Sequence, residues 1–174
     1  IRTTYNFQVM GHSYNPCSVI NSERITEIRN MGHYIGLHFY YHHIPDHDWE
    51  ALEAEFHKQV KLLESIAGFN CDRFSFHRPK SWVLEPRGDY MFGKINQYGK
   101  SFFEFSPNPK RIKYISDSRH EWCYGHPLGQ KIEFQQLQIL THPDEWTKDG
   151  LDEVENFRSI LSELNQEIRS TFLR

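Results

Sequence analysis

The stretch Gly32-His33-Tyr34-Ile35-Gly36-Leu37-His38-Phe39-Tyr40-Tyr41-His42-His43 decides how the chain is read. Its first half has the make-up of a short buried strand entered through a glycine. Its second half turns abruptly into imidazoles and phenols, which a hydrophobic core has no use for. His38 and His42 stand four apart. With His38 at the strand's end and His42 in the turn that follows, two neutral imidazole nitrogens can converge on one metal ion. His43 and His47 form a rival pair at the same spacing, and a polar, aromatic loop of solvated histidines has the same composition.

Upstream of this stretch, Thr4 to Met10 alternates as a half-buried strand does, with Tyr5, Phe7 and Val9 on one face. A loop containing His12, Tyr14, Asn15 and Pro16 follows. Asn21 or Ser22 then caps a short helix that turns Ile25, Ile28 and Met31 inward, and Gly32 ends it. Downstream, Trp49, Leu52, Phe56, Val60, Leu63 and Ala67 recur at steps of three and four, the strongest helical period in the chain. Asp46 or Asp48 caps that helix, Gly68 stops it, and Glu53, Glu55, Lys58 and Lys61 form a solvated face.

Arg73 to Phe76 reads as another strand, running into Ser75-Phe76-His77-Arg78-Pro79. Residues 80 to 110 are dense in glycine, proline and aromatics, which predicts loops and one short helical turn. Lys113 to Ser116 is a strand leading to Asp117, and Gln136 to Leu140 one leading to Thr141-His142-Pro143. Between them, Arg119 to Gln130 carries Trp122, His126 and Pro127 and suits a loop over a cleft. From Asp149 a final amphipathic helix places Leu151, Val154, Phe157, Leu161, Leu164 and Ile168 inward.

With 174 residues the chain has the size of a single domain, 1–174. Aromatics make up 15% of it, so they must supply buried area that aliphatics usually provide. A net charge of -3 with dispersed signs leaves no basic stripe for nucleic acid, and no run of about 18 apolar residues spans a membrane. Cys17, Cys71 and Cys123 lack the paired spacing of a zinc ribbon or redox motif, which reads as reduced thiols in a cytoplasmic protein.

The order is strand, helix, strand, helix, with polar residues where strands stop: His38, His77 with Arg78, Asp117, and His142. In parallel α/β architectures the strand C-termini share one end, so these positions are expected to converge on one mouth. Each alone is ordinary. Arg78 suits a surface ion pair, Asp117 between two serines suits an Asx-turn, and His142 before Pro143 suits a strand terminus.

As an ordered set, His38-Phe39-Tyr40-Tyr41-His42, Arg78-Pro79, Asp117 and Leu140-Thr141-His142 resemble the successive motifs of the polysaccharide deacetylase family, the NodB-homology carbohydrate esterases. The likeness runs from Thr4 to about Trp146. It is closest to a branch found among bacterial surface-glycan proteins, through Gly36-Leu37-His38-Phe39, Ser75-Phe76-His77-Arg78-Pro79, Tyr114-Ile115-Ser116-Asp117-Ser118 and His142-Pro143.

The resemblance implies an α/β fold, a distorted barrel of parallel strands ringed by helices. It implies a divalent metal, most often zinc, held by His38, His42 and an aspartate, and a carbohydrate substrate. His142 would be the general acid for the leaving amine, Asp117 would hold it in its working protonation state, and Arg78 would orient the carboxylate base. His77, a feature of the branch, either lines the substrate pocket or touches the metal, and Trp122 and Trp146 would line the sugar site.

The family's first motif, a strand ending in an aspartate pair, supplies base and third ligand. The usual βα unit length puts it roughly twenty to thirty residues before Thr4. The chain is therefore expected to be N-terminally truncated, lacking the barrel's first strand, or else to have lost base and ligand. Two other classes compete: a non-catalytic glycan-binding or scaffolding domain carrying Tyr98, Phe103, Trp122 and Trp146, and a hydrolase of cyclic amides or other carbon–nitrogen bonds, since fold does not fix substrate.

Overall fold

The computed structural model describes residues 1–11, 14–86, 88–103, 112–118, 121–129 and 136–173, the Asp144 side chain apart. The chain divides into two compact units, Ile1–Phe103 and Glu104–Arg174.

The first unit runs β1 (Thr4–Phe7), α1 (Val19–Asn30), β2 (Tyr34–Phe39), α2 (Trp49–Ala67), β3 (Arg73–Phe76), α3 (Ser81–Leu84), β4 (Tyr90–Met91) and β5 (Lys94–Asn96). Its sheet has the order β1-β2-β3-β5-β4, parallel throughout except for the β4–β5 hairpin. Successive parallel strands are added on the same side, and crossovers keep one hand, so the connecting helices gather on one face. The core agrees. Ile25 of α1 and Leu52, Phe56, Val60 and Leu63 of α2 share one cluster with Ile35, Leu37, Phe39, Phe74 and Phe76. Leu52, Phe56 and Leu63 are fully buried, a gain of about 1.5–3 kcal/mol each.

Register fixes the opposite face. Leu37 pairs with Phe74 and Phe39 with Phe76, while the intervening partners, His38 and Ser75, share the other side of the sheet. Asn6 and Gln97 join across that polar side, the Asn6 amide donating to Gln97 Oε1 at 2.9 Å. Gly36, the register partner of Asn6, lies where a Cβ would run into Asn6 Oδ1 and approach the Arg73 carbonyl oxygen to 3.2 Å.

The long helix follows its sequence period, with Asp48 accepting from the Ala51 amide at 3.0 Å and Gly68 closing it at φ 70°. The first helix is capped by Ser18 rather than by Asn21 or Ser22, and Met31 is its exposed C-cap, not a core residue. The first strand ends at Phe7, short of Met10, although Val9 remains buried. The stretch from 80 holds α3 and the β4–β5 hairpin, where only loops and one helical turn were expected; Arg87 and residues 104–110 lie outside the described residues.

In the second unit, β6 (Ile112–Ser116) and β7 (Gln136–Leu140) pair in parallel with Ser116 opposite Leu140. Of the loop between them, Arg119, His120, Gln130 and residues 131–135 lie outside the described residues, and Pro127–Gly129 forms a short 3-10 turn. Pro143–Glu145 forms another 3-10 turn. The final helix, α4 (Glu153–Phe172), starts at a reciprocal capping box between Asp152 and Glu155. Its apolar stripe is not inward: Val154, Phe157, Leu161, Leu164 and Ile168 are all exposed, and Asn156 is its buried residue. Periodicity orients such a stripe but does not supply the surface that covers it.

The fold is thus mixed α/β. Among the described residues the strands form one open five-stranded sheet and one pair, without closing a barrel. No helix among them is long and apolar enough to cross a membrane.

Candidate functional site

In the first unit the C-terminal ends of β2 and β3 bring three imidazoles together. His38 leaves β2 on the polar side of the sheet, where its register partner Ser75 holds its Nδ1 at 2.9 Å. Its Nε2 faces His77 Nδ1 at 3.0 Å, with the two rings edge to face. His42, three residues beyond β2, does something different: its Nε2 donates to the His77 carbonyl oxygen at 3.0 Å. All three rings are half-buried.

The corner carrying His77 is built stiffly. The His77 amide donates to the Phe39 carbonyl at 2.9 Å, and the Lys80 amide donates to the buried Tyr41 hydroxyl at 2.7 Å. Burial pushes the Tyr41 phenol up from its ordinary value, so it stays neutral and available as an acceptor. Between these anchors Arg78 turns through φ 45°, a backbone region that non-glycine residues occupy only when their surroundings hold them there. The Arg78 side chain is exposed.

Gln59, buried in the middle of α2, holds the chain as it leaves β2. Its Nε2 donates to the Tyr40 carbonyl at 2.6 Å and to Glu55 Oε1 at 2.8 Å, and its Oε1 accepts from the Tyr40 amide at 3.3 Å. Burial alone would raise the Glu55 carboxyl; hydrogen bonds from Gln59 and Lys58, with the Lys58 and His43 charges, outweigh it and hold the group below its ordinary value.

Imidazole donors fit zinc in type. His38 Nε2 and His77 Nδ1 also fit in spacing, because two ligands on one zinc lie about 3.3 Å apart when each bond is about 2.0–2.1 Å. The His38–His42 pair read from the sequence is not drawn into a group of three ligand atoms among the described residues.

The second unit holds the other group. Asp117 follows β6 directly, and His142 lies two residues past β7. Asp117 is buried and accepts on both oxygens: the His142 amide reaches them at 3.1 and 2.9 Å, His142 Nδ1 reaches Oδ1 at 2.8 Å, and Trp146 Nε1 reaches Oδ2 at 2.7 Å. The His142 side chain is 37% exposed against 5% for Asp117. The carboxylate thus keeps the proton on Nδ1 and leaves Nε2 as the ring nitrogen that can accept.

Glu145, one turn on, brings its carboxylate within 4.8 Å of the Asp117 and His142 ligand atoms, making a group of cation-binding type. Four hydrogen bonds already converge on Asp117, so a cation there would have to displace some of them. Trp122 packs on Trp146 at 5.5 Å between ring centroids and on exposed His126 at 5.4 Å.

Each unit therefore gathers its own share of the predicted residues: His38, His42, His77 and Arg78 in one, Asp117, Trp122, His142 and Trp146 in the other. Sequence reading missed Ser75, Gln59, Tyr41 and Glu145. Gln59 had a signal, being a polar residue at a core position of the α2 period, between Phe56 and Leu63. Compared with protein-family models, with curated proteins and with solved structures, the chain matches none.

Proposed function

We propose that this chain is a metal-dependent hydrolase of the polysaccharide deacetylase type, on a distorted (β/α) barrel scaffold, removing acetyl groups from an amino sugar or glycan. The observation that carries the reading is the Asp117–His142 pair at the C-terminal ends of two parallel strands, where α/β proteins place their chemistry. A buried carboxylate fixes one imidazole nitrogen and leaves a partly exposed ring to handle a proton.

In this reading His142 Nε2 delivers the proton to the leaving amine, a step worth about 10²–10⁴ in rate. Asp117 keeps the ring oriented and stabilises its charged form. Within the first unit, His38 at the end of β2 holds a divalent metal, zinc by preference, with a second imidazole from His42 or His77. Zinc, when bound, makes water a nucleophile near neutral pH and offsets negative charge on a carbonyl oxygen. Arg78 would orient a carboxylate base, the role that the family resemblance implies for it. A cytoplasmic setting suits three free thiols.

The test is zinc content and acetate release from an N-acetylated oligosaccharide, measured on the protein and on its H142N variant. Zinc retention and acetate release lost in H142N support the reading. No zinc, or release unchanged in H142N, sinks it. A second reading, a glycan-binding domain without catalysis, is favoured by the Trp122–Trp146–His126 aromatic surface. It requires sugar binding that survives both chelator and H142N.

A further inference from the structure

We infer that the metal's imidazole pair is His38 with His77, bound through His38 Nε2 and His77 Nδ1, and that His42 is a positioning residue for His77; this rests on the metal-dependent reading above. The sequence spacing points to His42, but the geometry points elsewhere.

Two neutral imidazoles whose ring nitrogens face each other at 3.0 Å must share one proton between them or share a cation. A cation needs the pair to open by only a few tenths of an ångström, given bonds of about 2.0–2.1 Å to each nitrogen. Ser75 lies on the far nitrogen of His38, where an outer partner of a ligating imidazole belongs: when Nδ1–H donates to Ser75 Oγ, the Nε2 lone pair points at His77. Ser75 is itself 9% exposed, so this partner is fixed by the strand.

His42 has the opposite arrangement. Its Nε2 bears the proton, because the atom it meets at 3.0 Å is a carbonyl oxygen. That carbonyl belongs to His77, so the contact pins the ligand's own backbone just before the left-handed turn at Arg78. The His77 ring stands edge-on to both neighbours, 5.0 Å from His38 and 5.8 Å from His42 by ring centroids. His77 is thus the member common to both contacts, and His42 acts through it.

The test is zinc titration of the full-length protein followed by ¹⁵N NMR of its histidine rings, with dissociation constants for H77A, H77Q and H42Q. The glutamine at 42 keeps an N–H for the His77 carbonyl. The inference expects zinc to shift His38 Nε2 and His77 Nδ1 while His42 Nε2 stays protonated. It also expects both His77 variants to weaken zinc by more than the roughly 10–100-fold that outer partners cost, and H42Q to weaken it less.

Zinc bound with the His42 ring nitrogens shifting and His77 unmoved overturns the inference and leaves the metal-dependent reading standing. No zinc binding by the parent protein overturns both. The parent-protein NMR spectrum decides the matter even if a variant fails to fold.

Discussion

Gln59 grips Tyr40 by both backbone polar groups, donating to its carbonyl at 2.6 Å and accepting from its amide at 3.3 Å. A side chain from the middle of α2 thereby substitutes for the neighbouring strand that β2 has just left. The three histidines depend on the path this clamp imposes on residues 40 to 42.

Q59L should therefore cost more than an ordinary core substitution of similar volume. Leaving the Tyr40 amide and carbonyl without their partner costs about 1–3 kcal/mol for each group that water cannot reach. Urea unfolding should show a loss of about 2–4 kcal/mol. A loss below about 0.5 kcal/mol would mean that the clamp contributes nothing to the fold.

Gly36 should tolerate no side chain. A Cβ there meets Asn6 Oδ1 and stands 3.1 Å from Arg73 Cγ and 3.2 Å from the Arg73 carbonyl, contacts imposed by the two flanking strands. G36A should lose about 1–3 kcal/mol by overpacking and spread the β1–β2–β3 register around His38. Thermal unfolding checks the first, and amide hydrogen exchange in Phe7, His38 and Ser75 the second.

Much of this scaffold was legible in the sequence because its signals were local. The 3.6-residue period of Trp49 to Ala67 gives α2 and its core face, and the strands that lead to Asp117 and His142 are read at or near their observed bounds. Pairings between distant residues were not legible. Ser75 meets His38 only through strand register, Gln59 meets Tyr40 only across a helix–sheet interface, and His77 meets His38 only because β2 and β3 end side by side. The burial of α4 was misjudged because amphipathicity states which face is apolar, not whether anything covers it.

Burial pushes the Cys71 thiol above its ordinary value, whereas Cys17 is exposed. With a raised folded-state pKa, the thiol's contribution to stability is complete below the unfolded pKa and is lost as pH rises past it, from about 8.5 upward. At pH 8, Cys17 should react with an aromatic disulfide reagent in the native protein, and Cys71 only on unfolding. Equal native rates for both would contradict the burial argument.

D117N should separate stability from catalysis. An amide presents an N–H where His142 Nδ1 and Trp146 Nε1 both donate, so one of those charge-assisted bonds fails, at about 1.5–3 kcal/mol. Turnover should fall further, by about 10²–10⁴, because the imidazole loses its fixed tautomer. W146F removes one donor to the same carboxylate and keeps the tautomer, so its turnover should fall far less than that of D117N.

The measurement that bears most directly on the whole account is acetate release from an N-acetylated oligosaccharide by the zinc-loaded protein, taken with and without chelator and in H142N. Release should stop on chelation, return with added zinc, and fall by about 10²–10⁴ in H142N. Release indifferent to chelator and to residue 142, or sugar binding with no release in any zinc-loaded sample, would contradict it.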